Sequence, residues 1–364
     1  MATISLCMIV KNEEAILDRC LSSVEGIVDE IIIVDTGSTD GTVDLAQKYT
    51  KQVYHFDWID DFSAARNFSF GLATMDYILW LDADDIIAAP NHSKLLDLKH
   101  QLSADVDSIL MDYELAHDEY GQVTTKLKRN RIVKRAKGFI WRGAVHEYLE
   151  VHGNIMQSDV AVMHKSTKTH KSTRNLRIYE QQKLRGASFT ARDLYYYANE
   201  LREHGKFGDA IDYYQRFLQT KEGWLEDVIW ACSHLAECYR GLNMEEEELG
   251  ALLHSMHYDR PRPEICCQIG FYFLKRNQPS RASFWYEIAL QPELKPNTWG
   301  LSNPACHTWL PHLQLCVCYD RLGEYDRAYR HSELAREYRP DDERMLHNKR
   351  YLESVLQKQV FAKN

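Results

Sequence analysis

The sequence predicts a two-part α/β-then-α chain: a mixed sheet with helices on both faces, followed by an all-α array of helical hairpins. Three observations carry this. In the first 85 residues short β-rich runs alternate with amphipathic stretches, the pattern of a parallel sheet with covering helices. After Val106 strand-like runs follow one another without long helices between them. Beyond about Arg192 the hydrophobic period is almost wholly helical, and it repeats.

Taken in order, residues 4–10 read as a buried strand, 13–24 as a helix, 30–34 as a strand and 42–49 as a helix. A third strand at 52–56 leads to a helix at 63–73 and a fourth strand at 77–81. Right-handed crossovers bring the loops after these strands to one edge of the sheet, where open α/β sheets bind ligands. The polar clusters KNEE, DTGSTDGT and DADD all fall at those strand ends. From Val106 to about Met163, the runs SILMDYELA, VTTKLKRNRIVKR, VHEYLEV and VAVM predict an antiparallel extension of the same unit. The basic stretch 165–177 then leaves it. The expected domains are 1–170, a linker at 171–191, and 192–364.

The helical half repeats on a small residue. Gly205-Lys206-Phe207 with Ala210 and Tyr214 matches Gly323-Glu324-Tyr325 with Ala328, Ala335 and Pro340. A middle unit holds Ala282, Tyr286 and Ala289, and the segment from Tyr239 to Leu253 reads as a degenerate fourth. The 46-residue step from Ala282 to Ala328 exceeds a tetratricopeptide unit of about 34 residues, and the insertion PELKPNTWGLSNP accounts for the excess. Stacked hairpins are either a plain helical cap or a concave groove for an extended partner. Tyr195, Tyr196, Tyr197, Trp224, Trp230, Trp285, Trp299 and Trp309 are the aromatic residues available to line such a groove.

Composition narrows the function. The 364 residues are 45% hydrophobic and 27% charged, a globular balance. With 44 Lys and Arg against 53 Asp and Glu, the net charge of −9 leaves no basic surplus for nucleic-acid backbones. The start lacks a basic segment followed by an apolar core, and no run of about 18 apolar residues occurs, so the expectation is a cytoplasmic protein with no membrane span. Nine scattered cysteines without a C-x-x-C pair read as buried, reduced thiols.

Two loops carry the chemistry. Leu79-Trp80-Leu81-Asp82-Ala83-Asp84-Asp85 sets an apolar strand directly before three carboxylates. Two carboxylates spaced by one residue at a strand end can reach a hard divalent cation and a ribose hydroxyl together. Val34-Asp35-Thr36-Gly37-Ser38-Thr39-Asp40-Gly41-Thr42 joins a strand to a helix, with glycines that let a ligand approach the backbone. It is neither G-x-G-x-x-G nor a P-loop, which disfavours a dinucleotide dehydrogenase or an NTPase.

SLCMIVKNEE, DEIIIVDTGSTDGT, DWIDDFSAARNFS and DYILWLDADD, in that order, resemble the nucleotide-sugar half of family 2 glycosyltransferases of the GT-A fold. Trp141-Arg142-Gly143-Ala144-Val145-His146-Glu147 resembles the later W-x-G-x-V-H-E segment of the subgroup with C-terminal tetratricopeptide-like helices. The layout is similar to the sublancin-type peptide glycosyltransferases, which modify cysteine or serine of bacteriocin peptides. The resemblance implies that Asn12 and Glu13 border the nucleotide, that Asp35 contacts uracil or ribose, and that Arg66 lies over the base or diphosphate. It implies further that Asp82 meets ribose or metal, and that Asp84 is the main ligand for Mg²⁺ or Mn²⁺. His164 completes the metal shell on this reading, and Lys165 and Arg174 neutralise the diphosphate of a UDP-sugar. An inverting transfer needs one base; Glu147 is the candidate, with His146 orienting it, Trp141 as a sugar or acceptor platform, and Asp85 and Asp112 as alternative bases. The expected activity is a UDP-sugar-dependent transfer of a hexose or N-acetylhexosamine to a peptide or protein. The competing readings are transfer to a cell-envelope or lipid-linked glycan, and a non-catalytic repeat scaffold. A homodimer through the helical domain is the further partner expected.

Overall fold

The computed structural model describes residues 2–166, 172–292 and 299–363. The parts of the basic stretch at 167–171 and of the proline-rich insertion at 293–298 lie outside the described residues. The chain divides into two compact units, Met1–Ala187 and Ser188–Asn364.

Among the described residues the first unit contains ten strands: β1 (Ile4–Val10), β2 (Glu30–Asp35), β3 (Val53–His55), β4 (Tyr77–Trp80), β5 (Asp85–Ile86), β6 (Ser108–His117), β7 (Val123–Lys134), β8 (Ile140–Arg142), β9 (Tyr148–Glu150) and β10 (Ile155–His164). Eight of them form one sheet in the order β3-β2-β1-β4-β7-β6-β10-β5. β3, β2, β1 and β4 run parallel, while β7 is antiparallel to both of its neighbours β4 and β6. Alternation along β1 explains why it is central. Ile4, Leu6, Met8 and Val10 enter one core and Cys7 the other, so both faces must be covered. Leu17, Cys20 and Leu21 of α1 (Leu17–Ser22), Ala46 of α2 (Thr42–Ala46) and Leu95 of α4 (Ala89–Gln101) cover the first face. Phe70 of α3 (Phe62–Gly71) packs on the second.

The region after Val106 differs from the expected antiparallel extension in two ways. β10 pairs parallel to β6 and antiparallel to the two-residue β5, which docks the end of β10 beside the DADD loop. The run VHEYLEV does not join the main sheet. Gly143 at φ 95° and His146 at φ 50° turn the chain there, and β9 pairs with β8 in a separate hairpin. The stretch expected as a linker carries a helix, α5 (Arg174–Leu184), which belongs to the first unit.

The second unit is built of four helical hairpins: α6 (Ala191–Glu203) with α7 (Phe207–Thr220), α8 (Leu225–Gly241) with α9 (Glu245–His254), α10 (Pro263–Lys275) with α11 (Pro279–Ala289), and α12 (Trp309–Arg321) with α13 (Tyr325–Tyr338). A last helix, α14 (Glu343–Lys363), follows. Every hairpin turns on a residue of positive φ: Gly205, Asn243, Asn277 and Gly323. Glycine and asparagine tolerate that left-handed backbone best. Five positions on, Ala210, Ala282 and Ala328 are fully buried where the helices close on each other. In the second hairpin the same position is Glu248, buried with Arg240 at 3.5 Å and Arg276 at 3.9 Å. That substitution is why this unit reads as degenerate in the sequence.

Most of the aromatic residues considered for a groove are packing residues. Tyr195 and Tyr197 are buried, Trp230 donates to the Leu301 carbonyl, and Trp309 lies under Arg339, whereas Trp224 and Trp299 are exposed. All nine cysteines are free and buried.

A neutral histidine pair sits between α12 and α13, with His312 Nδ1 and His331 Nδ1 2.9 Å apart. Burial, with His312 and the nearby Arg327 and Arg330, pushes the His331 imidazole down to about 4. The unfolded chain takes up this proton near pH 6.5 and the folded chain does not, so the stabilisation is complete above that pH and is lost as pH falls toward 4. Calorimetric melting temperatures should therefore decline from pH 6.5 to 4 more steeply in the wild type than in a His331→Asn variant.

Candidate active site at the sheet edge

The ends of β1, β2, β4 and β10 meet at one edge of the sheet. Asn12 leaves β1 in the left-handed region, its amide donating to Ser38 Oγ at 2.9 Å while its Oδ1 accepts the Thr39 amide at 2.7 Å. Glu13 N–H donates to Thr42 Oγ1 at 2.8 Å, so the first two strand-end loops are knitted together. Asp35 turns its carboxylate onto its own loop, accepting from the Gly37 and Ser38 amides.

A cleft of about 610 Å³ opens beside these loops. Asn12, Glu13, Arg66, Asp82, Asp84, Trp141, His146, Glu147, His164 and Arg174 all line it. Two expected residues do not. Asp35 is buried beside the lining residue Thr36, and Lys165 is exposed, contributing only its backbone: its N–H donates to the Asp84 carbonyl at 2.7 Å and its carbonyl accepts from Arg19.

The acidic corner is selective about which carboxylates it gathers. Atoms of Asp84, Asp85 and His164 lie within 4.8 Å of one another. His164 Nδ1 is 3.5 Å from Asp84 Oδ1 and 3.6 Å from Asp85 Oδ1. Asp85 Oδ2 accepts from Arg131 at 2.9 Å and from the Asp82 amide at 3.0 Å, leaving Oδ1 buried without a hydrogen bond. Two carboxylate oxygens and one imidazole nitrogen, one oxygen lacking a partner, fit a small divalent cation such as Mn²⁺ or Mg²⁺. Burial, together with Asp82 and Asp85, raises the Asp84 carboxyl, although His164 opposes it. The adjacent Asp85 carboxylate, with Asp84 and Asp82, raises the His164 imidazole against its burial. The residue gathered with Asp84 and His164 is Asp85, whereas Asp82 was the expected neighbour. The Asp82 carboxylate points to Arg66, because the backbone between the two aspartates reverses to close the Asp85-to-Asp82 turn.

Arg66 is the second centre. Buried to 7% exposure, it donates through Nε to Glu147 at 2.6 Å and through NH2 to Asp82 at 2.7 Å. Burial opposes its charge, and the two carboxylates more than offset that, raising its pKa. In the same way burial raises the Glu147 carboxyl, but Arg66 overrides it and holds the group below the usual range. The guanidinium therefore serves the two acids rather than standing free over a base or diphosphate. Its plane also lies 4.8 Å from the Trp141 ring centre. Trp141, 3% exposed with Arg66 over its face and Trp80 at its edge, is thus no open platform for a sugar. His146 lies nearly parallel to Tyr179 of α5. Of the alternative bases, Asp85 is fully buried against Arg131, and Asp112 is paired with Lys126 and Lys128 outside the cleft lining.

One helix places the Glu147 loop. Asp61 caps α3 by accepting from the Ala64 amide, and the following turn presents Arg66 and Asn67 side by side. Asn67 clasps Trp141 through both backbone groups, at 3.0 and 2.8 Å, while the Phe62 amide donates to the Ala144 carbonyl. Asn67→Ala should lower unfolding free energy by about 1–3 kcal/mol, through the unsatisfied backbone groups it leaves, in urea titrations.

Sequence reasoning missed Arg131 and Tyr113, which support the corner, and Trp58, Phe62 and Arg177, which line the cleft. Arg131 stands in a strand of alternating polar and apolar residues, where only pairing decides which basic side chains turn inward.

The chain matches the family description "Glycosyl transferase family 2" over residues 5–149, a span that contains Arg66, Asp84, Asp85 and Glu147 but stops short of His164. Residues 5–149 form a family 2 glycosyltransferase domain. The chain is 42% identical over 131 residues to the TPR repeat-containing protein Synpcc7942_0270 of Synechococcus elongatus, covering 36% of this chain and 32% of that one. It is 28% identical over 239 residues to the SPbeta prophage-derived glycosyltransferase SunS of Bacillus subtilis, covering 60% of this chain and 54% of that one. The chain thus spans between about a third and a half of the length of these two relatives. A solved structure similar to the chain is YrrB, described as a TPR protein with an unusual peptide-binding site, at 16% identity over 50% of this chain and 82% of that one, with a TM-score of 0.37. The matched span is followed by the unit of helical hairpins described above. Among the described residues no helix is long and apolar enough to cross a membrane.

Proposed function

We propose that the chain is a metal-dependent, inverting glycosyltransferase that moves a hexose or N-acetylhexosamine from a UDP-sugar to a cysteine thiol of a peptide. The observation that carries this is the opening of Asp84 and His164, with Asp85 buried beside them, and of Glu147 onto one cleft. Those three residues would hold a divalent cation, which would supply Lewis-acid neutralisation of the departing diphosphate. Arg174, on the same cleft, adds a guanidinium suited to phosphate oxygens. Asn12 and Glu13 border the nucleotide end, and Asp82, bridged by Arg66 to Glu147, faces the ribose side.

Glu147 takes the acceptor proton. Held ionised by Arg66, it is a weak proton acceptor, and proton transfer to it is least uphill from a thiol, whose pKa of about 8.5 lies far below that of a hydroxyl. This favours cysteine over serine as the acceptor atom. The relation to a glycosyltransferase named SunS supports the class of reaction. The helical unit recruits the peptide. The test is mass spectrometry of matched cysteine and serine peptides incubated with a panel of UDP-sugars and Mn²⁺ or Mg²⁺. A mass increase of one hexose or N-acetylhexosamine on the cysteine peptide supports the reading; modification of serine alone overturns the acceptor, and no turnover of any UDP-sugar, with no UDP release, overturns the activity.

A further inference from the structure

Beneath the acidic corner lies a charge that the proposed chemistry does not use. Arg131 of β7 is completely buried, with its guanidinium carbon 4.0 Å from the Trp80 ring centre and 4.3 Å from that of Tyr113. Its NH1 donates to the Trp80 carbonyl at 3.3 Å and meets Asp85 Oδ2 at 2.9 Å. Two aromatic faces hold the cation in one plane, with Asp85 as its carboxylate partner. Replacing such a buried pair by apolar groups is often neutral or stabilising, so fold stability alone does not require it.

The arrangement instead directs Asp85. Oδ2 is taken by Arg131 and the Asp82 amide, so rotation of the carboxylate would break two bonds, and Oδ1 is left facing His164 Nδ1 at 3.6 Å and the Asp84 side. Tyr113, which stacks on Arg131, also hydrogen-bonds His164 Nδ1 at 3.0 Å through its hydroxyl. One buried arginine therefore touches one candidate ligand, Asp85, directly and the tyrosine bonded to a second, His164.

We infer that Arg131 is a positioning residue for a divalent cation: clamped between Trp80 and Tyr113, it locks Asp85 so that Oδ1 completes the Asp84–His164 site. The inference rests on the metal reading given above for that corner. Outer partners of metal ligands typically contribute about 10–100-fold in metal affinity.

The experiment measures Mn²⁺ affinity by electron paramagnetic resonance and calorimetry, without sugar donor, in the wild type, Arg131→Met, Asp85→Asn and the double variant, with folding checked by circular dichroism. Arg131→Met should weaken Mn²⁺ binding by about 10–100-fold. In the Asp85→Asn background the same change should add little, because the arginine acts through that carboxylate. The double variant removes both charges and remains folded if Arg131→Met alone does not, and equal Mn²⁺ affinity in the double and Asp85→Asn variants then supports the role. Wild-type Mn²⁺ affinity in folded Arg131→Met, or a further loss of the same size when Arg131→Met is added to Asp85→Asn, overturns it. Failure of the wild type itself to bind Mn²⁺ would instead overturn the metal reading on which the inference rests.

Discussion

Asp84→Asn should abolish manganese-dependent binding of UDP in calorimetry and reduce sugar transfer by at least about 10²–10³-fold, the range typical for losing one main electrostatic contact to a developing negative charge. The side chain lines the cleft and is 3.5 Å from His164, and burial with its acidic neighbours already raises its pKa. A neutral amide there should leave the protein folded, since the raised pKa means that the anion is not what stabilises the corner. The loss should therefore appear in metal and nucleotide binding while the melting temperature is unchanged or higher. His164→Ala should act in the same direction with a smaller effect, because it removes the neutral nitrogen and leaves both carboxylates. Manganese titrations that are unchanged in both variants would place the cation elsewhere.

Glu147→Gln should lower kcat by about 10²–10⁴-fold while the KM for the donor stays near its wild-type value. Gln can still accept the Arg66 Nε hydrogen bond, now 2.6 Å long, so the link from Arg66 to the Trp141 hairpin persists. With a cysteine acceptor, raising the pH toward 8.5 should restore part of the lost rate, because solvent then supplies the thiolate that the missing base would have formed. A serine acceptor should show no such rescue. Near-normal turnover of the variant at pH 7 would remove Glu147 as the base. A parallel loss in Arg66→Met would be expected, with Asp82 and Glu147 left to face each other without the cation between them.

The alternation of Ile4, Leu6, Met8 and Val10 with Cys7, together with the later strand runs, made β1, β2, β4, β6 and β7 legible before any coordinates, because burial on two faces leaves a period-two signature over a few residues. α4 was not legible: its thirteen residues show only a weak apolar stripe, and a partly lysine-rich face is buried at Lys99 through bonds to Ile27 and Asp29. The hairpin array could be read wherever a small residue recurred. At Glu248 the period was broken by a side chain that only its arginine partners make tolerable.

That polar loops close the ends of β1, β2 and β4, and therefore that Asn12, Asp82, Asp84 and Asp85 share one edge, follows from residue order alone, since right-handed parallel crossovers leave no other arrangement. Which way each side chain faces there came from the packing of the whole unit. That packing turned Asp82 to Arg66 and Asp85 to Arg131, covered Trp141, and brought in Glu147 from the loop between β8 and β9 and His164 from the end of β10. The reason is physical: position on a strand end is a local property of the backbone, whereas the direction of a carboxylate depends on which cation the rest of the fold buries beside it.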